Sequence, residues 1–200
     1  RDPFGVRPGF IGYENNNLFF SSEAKAISNL CKTVKPFPPG HWWEDEKPRS
    51  FNKYYKNKIA LHVGIKEDGI LEGIRKRLIK SVKKRMMSDR EIGSLLSGGL
   101  DSSLISALVN KFNTGEKLKT FSIGMPGSVD LKYAKEAATF IDSDHHQIEI
   151  SESTFLQSIE TVIYNIESYD TTTVRASIGN YLVSKYIREN SDCKVIFNGD

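Results

Sequence analysis

The apolar positions of this chain change their period once, near residue 66. Beyond it, Ile70, Ile74, Leu78, Val82 and Met86 recur every four residues, which predicts a long amphipathic helix. The run Ile92 to Leu96 predicts a strand, and Leu104, Ile105, Leu108, Val109 and Phe112 follow it at helical spacing. Strands over 118–124, 145–150 and 194–197 then alternate with helices over 130–140, 151–167 and roughly 176–189. Asp130 offers an N-cap for the first of these helices, and Ser151 or Ser153 for the second. Such alternation predicts an α/β fold, a parallel sheet with right-handed crossovers and helices on both faces. Before residue 66 the texture is different. Phe10 to Tyr13 and Leu18 to Ser21, separated by Asn15-Asn16-Asn17, predict a hairpin. A short helix over 23–27 and strands over 34–37, 41–44 and 49–55 complete a β-rich stretch broken by Pro38-Pro39-Gly40. Some fifty residues of this kind cannot close a core alone.

Within this pattern one joint carries chemistry. Leu95-Leu96-Ser97-Gly98-Gly99-Leu100-Asp101-Ser102-Ser103 reads as strand, tight glycine turn, helix. Gly98 and Gly99 lack the Cβ atoms that would hold an anion off the backbone, so their N–H groups and the helix N-terminus form a phosphate site. Ser97, Ser102 and Ser103 add hydroxyls. Asp101 repels phosphate and reads instead as a ligand for the Mg²⁺ that accompanies a nucleotide. No Gly-Lys-Ser/Thr follows, so this is not a Walker loop. It resembles the PP-loop, Ser-Gly-Gly-x-Asp-Ser, of enzymes that split ATP into AMP and pyrophosphate. Ligands of parallel sheets sit beyond the carboxyl ends of the strands. Those ends are Ser97-Gly98-Gly99, Ile123-Gly124-Met125, the Glu149 region and Asn198-Gly199-Asp200, and all four are expected to converge on one crevice.

Bulk composition narrows the classes. The 200 residues carry 28 basic and 25 acidic side chains, a formal +3 that is too mild to imply nucleic acid by itself. The predicted helix near residue 80 has a basic face: Arg75, Lys76, Arg77, Lys80, Lys83, Lys84 and Arg85. No aromatic residues interleave with it, so it reads as a solvated face rather than a nucleic-acid patch. Cys31 and Cys193 fit reduced, buried thiols of a cytoplasmic protein, and no apolar run reaches membrane length. The chain lacks an initiator Met and stops directly after a strand-like run, the expected aspect of an internal fragment. Asp144-His145-His146 does not read as a metal site, because adjacent strand residues point to opposite faces. The polar run Ser168 to Ser177 reads either as a capped loop or as a pocket for a small polar substrate, with Arg175 offering a fork to a carboxylate.

Taken with Arg1-Asp2-Pro3-Phe4-Gly5-Val6-Arg7-Pro8, Ser22-Glu23-Ala24-Lys25-Ala26, Phe37-Pro38-Pro39-Gly40, Pro126 to Leu131 and Glu167 to Ser177, the chain resembles the glutamine-hydrolysing asparagine synthetases of the class B type along nearly its whole length. The resemblance implies the C-terminal part of an Ntn-type glutaminase domain over 1–55, a linker over 56–66, and the first part of a PP-loop, adenine-nucleotide α-hydrolase-like domain over 67–200. It implies that ATP activates the aspartate side chain as β-aspartyl-AMP, and that ammonia drawn from glutamine displaces AMP. Ser97, Gly98, Gly99, Asp101 and Ser102 would then hold pyrophosphate and Mg²⁺, Leu95, Ile123 and Gly199 would seat AMP, and Thr172, Thr173 and Arg175 would bind aspartate. Asp200 stands where the family usually has a Glu thought to act as base. The family's N-terminal cysteine nucleophile and Asn-Gly-Glu glutamine site are absent, so this chain alone is not expected to hydrolyse glutamine. Its expected partners are the small molecules aspartate, ATP, and glutamine or ammonia, without membrane or nucleic acid, and a full-length homodimer is compatible with them. A tRNA-modifying PP-loop enzyme, or a nucleotide-binding fragment without activity, are the alternatives.

Overall fold

Two compact units divide the chain, Arg1–Val63 and Gly64–Asp200. The computed structural model describes residues 1–44, 50–58, 64 and 66–199. In the first unit β1 (Phe10–Glu14) and β2 (Asn17–Ser21) form the expected hairpin, paired from Phe10 opposite Ser21 to Glu14 opposite Asn17. That register leaves a two-residue loop, and Asn15 and Asn16 both take positive φ (46° and 65°). Asn tolerates this left-handed geometry better than most residues, and the type I′ turn of a tight hairpin requires it. After α1 (Lys25–Ser28), β3 (Thr33–Pro36) pairs antiparallel with β1. A second hairpin joins β4 (His41–Glu44) to β5 (Ser50–Lys53). Aromatic edges stitch the two small sheets together: Phe51 lies 5.1 Å from Phe37 and 5.0 Å from Trp43, and Phe20 6.1 Å from Phe37. Arg1 and Asp2 organise the loop before β1. The Arg1 guanidinium donates to the carbonyls of Gly5, Arg7 and Phe37, while the Asp2 carboxylate accepts from the N–H groups of Phe4, Val6 and Arg7. Those backbone donors, led by Arg7, hold the Asp2 carboxyl below its ordinary range.

The second unit begins with α2 (Glu67–Arg85), β6 (Ile92–Leu95), α3 (Leu100–Phe112), β7 (Lys119–Gly124), α4 (Val129–Phe140) and β8 (Asp144–Glu149). It continues with α5 (Glu152–Gln157), α6 (Ile159–Ile166), α7 (Thr171–Asn190) and β9 (Val195–Phe197). The four strands form a parallel sheet in the order β8-β7-β6-β9. Side chains alternate across it. Phe121 packs under Val183 and Ile187 of α7, while Thr120 turns the other way. Val109 of α3 meets Val82, Leu118 and Phe197 on that second face. Helices therefore cover both faces, as the periodicity predicts. Among the described residues no helix is long and apolar enough to cross a membrane.

Several local expectations are corrected. Ser128, not Asp130, caps α4, accepting from the Leu131 N–H at 3.3 Å; Asp130 lies in the first turn, where its charge suits the helix dipole. The helix expected over 151–167 is two helices. Ser151 caps α5, and Ser158 marks the break, its hydroxyl donating back to the Thr154 carbonyl at 2.8 Å. Such i−4 back-bonding bends helices. α7 starts at Thr171, well before residue 176, because Asp170 accepts from the Thr173 N–H. The β-branched run Thr171 to Val174 hides that start from propensity. Along α2 only the second half of the predicted stripe is packed: Val82 is buried and Met86 joins the core, whereas Ile70 and Ile74 are exposed. On its basic face Lys83 lies over the Phe112 ring, 4.4 Å from the centroid, so that side chain is not simply solvated. The 56–66 boundary falls partly on 59–63 and 65, and the expected strand start Arg49 on 45–49, all outside the described residues.

His145 and His146 occupy opposite faces of β8. His146 stacks on Phe121 at 5.1 Å, and His145 lies between Thr120 Oγ1 (2.9 Å from Nδ1) and Ser122 Oγ (3.1 Å from Nε2). Burial, reinforced by the neighbouring His146, holds the His145 imidazole below its usual value. A depressed folded value means the unfolded chain binds the proton more tightly, so this group's stabilisation is complete above its ordinary value near 6.5 and is lost as pH falls through the window beneath it. Thermal melts between pH 7 and 5 are expected to fall with pH, and His145→Gln to flatten that slope; an unchanged slope would contradict the assignment.

Candidate functional site

β6 is the first strand of the sheet, and the chain leaves it for β7 on one side and returns to β9 on the other. At this reversal of strand order the helices following the strands diverge and leave a crevice. The turn Leu96–Gly99 opens onto it. Gly98 has φ +81°, and a Cβ there would lie 2.4 Å from the backbone N of Ala134 in α4. A Cβ on Gly199, just beyond β9, would lie 2.6 Å from the backbone N of Ser102. Glycine at these two positions lets α4 and the end of β9 close on the turn. Gly99 differs: the nearest atom to a Cβ there is Ser97 Oγ at 3.5 Å, so its missing side chain leaves open space before the turn.

The serines brace this geometry. Ser97 and Ser102 hydroxyls are 2.9 Å apart, the Ser97 N–H donates to Ser102 Oγ at 3.2 Å, and Ser102 Oγ donates to the Gly99 carbonyl at 3.3 Å. Beneath the turn the buried Ser94 and Ser106 hydroxyls are 2.8 Å apart, and Ser94 donates to the Phe197 carbonyl at 3.4 Å, tying β6, α3 and β9 together. Sequence reasoning missed this pair; its signal was a serine inside an apolar strand and another on the apolar face of a helix. α3 starts at Gly99 without a side-chain cap, so its first-turn N–H groups are left to an anion.

The crevice, about 160 Å³, is lined by Leu95, Leu96, Ser97, Ser102, Phe121, Ser122, Ile123, Asn180, Val183 and Asn198. It thus unites Leu95, Ser97, Ser102 and Ile123 of the expected nucleotide set, framed by Gly98 and Gly99 in the turn and by Gly199 beyond β9. Asp101 lies exposed in the first turn of α3, without an ion pair among the described residues. Three strand ends meet here. The fourth does not: β8 is the edge strand beyond β7, and Glu149 accepts from Gln147 instead. Thr172, Thr173 and Arg175 do not line the crevice; they occupy the first two turns of α7, about 8–12 Å upstream of Asn180 along the axis. The Thr173 hydroxyl donates to Asp170 at 2.7 Å, so its proton serves the cap and only its oxygen is left to accept. Together with the Thr173 N–H, that bond lowers the Asp170 carboxyl. Arg175 is exposed and makes no ion pair with Glu167 or Asp170. Asp200 lies outside the described residues.

Residues 73–200 match the protein family described as Asparagine synthase. The chain belongs to that family. It is 39% identical to the glutamine-hydrolysing asparagine synthetase of Rattus norvegicus and 40% identical to that of Gallus gallus, in each case over all of this chain and 41% of the relative. The chain therefore spans about two fifths of the length of these curated relatives. A solved structure of NMN synthetase from Francisella tularensis is similar with a TM-score of 0.44 and 17% identity, over 64% of this chain and 54% of that one. Asn180, Val183 and Phe121 are crevice residues that sequence reasoning did not single out. For Asn180 and Val183 the signal was the α7 stripe Asn180, Val183, Ile187, at spacing i, i+3, i+7; Phe121 lies instead in the apolar strand β7.

Proposed function

We propose that this chain carries the ATP-binding part of a glutamine-dependent asparagine synthetase. Residues 1–55 would be the end of its glutaminase domain, 56–66 the linker and 67–200 the start of its synthetase domain. The observation that carries the reading is the uncapped N-terminus of α3 behind the Gly98–Gly99 turn, opening at the reversal of strand order. Identity near 39% over the whole chain supports it over a tRNA-modifying PP-loop enzyme.

In this reading the aspartate β-carboxylate attacks the α-phosphorus of ATP and pyrophosphate leaves. The negative charge that develops on the leaving group faces the first-turn N–H groups of α3, preorganised donors that need no reorganisation in the transition state, while the Ser97 and Ser102 hydroxyls, bonded to each other and to the Gly99 carbonyl, brace the turn that aims them. Ammonia then attacks the β-carbonyl of β-aspartyl-AMP and AMP leaves. Leu95 and Ile123 line the crevice where AMP would sit, and Asp200 would serve as base in the amide-forming step. Asp101, exposed and without an ion pair among the described residues, suits Mg²⁺ arriving on the nucleotide, since that ion takes one or two carboxylates and completes its shell with phosphates and water. Among the described residues no group of three His, Cys, Asp or Glu side chains could hold a metal without the nucleotide. Bound there, Mg²⁺ would offset charge on the leaving pyrophosphate. Asp101→Ala is expected to weaken Mg²⁺-ATP binding about tenfold by calorimetry on the intact protein, a loss of one ordinary charged contact; unchanged affinity would remove the metal role. Aspartate-dependent exchange of pyrophosphate into ATP tests the whole reading, and its absence in the intact protein would sink it.

A further inference from the structure

We propose that Asn180 is the residue that selects the nucleobase, reading the N6–N7 edge of adenine. This deepens the nucleotide-site reading above and rests on it. α7 presents one continuous stripe to the sheet. Val183 and Ile187 fill the core with Phe121, and Asn180 sits one turn nearer the N-terminus on the same stripe. There the stripe runs past the carboxyl ends of the strands and out of the core into the crevice. Asn180 is itself exposed at the crevice, so core packing does not choose its side chain and its carboxamide is accessible to a ligand. Asn180 makes no side-chain hydrogen bond with any described residue, so its donor and acceptor are both free.

Its surroundings define the ligand. The crevice is chemically divided. At the end formed by the turn, Ser97 and Ser102 supply hydroxyls beside the α3 N-terminus, a place for phosphates. The other end is walled by Leu95, Phe121, Ile123 and Val183, which suit the flat apolar face of a base. Asn180 is the α7 side chain that brings hydrogen-bonding groups to that end. A carboxamide pairs bidentately with adenine, its oxygen accepting from the N6 amino group while its NH₂ donates to N7. Guanine presents two acceptors, O6 and N7, along the same edge, and the carboxamide oxygen finds no donor there. The choice of ATP over GTP follows.

Calorimetry on the intact protein tests this with three nucleotides, ATP, GTP and 7-deaza-ATP, the last lacking the N7 acceptor. The wild-type protein is expected to bind ATP several-fold more tightly than 7-deaza-ATP. Asn180→Leu, similar in volume, is expected to weaken ATP about tenfold, to lower the ATP-to-GTP preference by about the same factor, and to bind ATP and 7-deaza-ATP alike. Its melting temperature monitors folding, and the affinity ratios report recognition in the folded molecules. If the ratios of Asn180→Leu equal those of the wild type, or if the wild type does not distinguish ATP from 7-deaza-ATP, the role of Asn180 is overturned while the nucleotide site stands. If the wild type binds no ATP, the nucleotide-site reading itself fails, and this proposal with it.

Discussion

Gly98→Ala is expected to unfold the Leu96–Gly99 turn and to weaken ATP binding by about two orders of magnitude. Two costs combine. At φ +81° an alanine sits in the left-handed region, which penalises an L side chain by about 1–2 kcal/mol. Its Cβ would also lie 2.4 Å from Ala134 N and Tyr133 C, backbone atoms that have no rotamer to give. Overpacking of this kind costs about 1–3 kcal/mol more. A total on the order of 2–5 kcal/mol exceeds what the Ser97–Ser102 hydrogen bonds return at about 1 kcal/mol each, so the turn moves rather than α4. Gly99→Ala is the control. Its φ of −71° is ordinary, and its Cβ meets nothing nearer than 3.5 Å, so the variant should fold as the wild type does while obstructing an anion before the turn. Melts and calorimetry on both variants separate the roles. If Gly98→Ala melts like the wild type with its ATP affinity intact, the contact with α4 is not as described.

Arg175→Lys is expected to reduce kcat/KM for aspartate about 10²-fold with little change in the ATP constant. The guanidinium has no ion pair with Glu167 or Asp170, so lysine there breaks no salt bridge among the described residues. What it loses is the planar fork that grips a carboxylate through two parallel bonds. If that carboxylate is the α-carboxylate of aspartate, loosening it displaces the β-carboxylate from the α-phosphate, and misplacement of about 1 Å costs ~10²-fold. Arg175 lies roughly 140° around α7 from Asn180, so it approaches from the helix flank rather than from the crevice wall. Kinetics with added ammonia bypass glutamine hydrolysis and isolate this step. A shift in the ATP constant alone would place Arg175 with the nucleotide; a fall in melting temperature with both constants unchanged would make it structural.

Much of this architecture was legible because local and global signals agree. The four-residue stripe of α2, the Asn15-Asn16 turn and the strand–glycine–helix joint each name their own structure through backbone geometry. What stayed hidden depended on neighbours. No local pattern says that β8 lies at the edge, and so the Glu149 end was expected in a crevice that it does not reach. Asp170 and Ser158 decided where helices began and broke through single side-chain bonds, against the propensities of the residues around them. Asn180 became visible only once α7 was seen to run past the strand ends.

The pairing of β6 with β9 has a consequence for how the protein is made. Ile92 pairs with Val195, and the whole of β7, β8 and five helices lies between them in the chain. Closing so long a loop is entropically slow, and contacts of high sequence separation form late. On a ribosome adding ~5–20 residues per second, roughly 5–20 s pass between the emergence of Leu95 and that of Phe197. For that interval the nascent chain holds its Gly98–Gly99 turn with one flank missing: Gly199 has not arrived against Ser102, and Ser94 lacks the Phe197 carbonyl. In the proposed function, nucleotide capture is therefore a late event in the life of each molecule: a chain that stalls before residue 195 carries the glycine turn without the β9 flank that closes it.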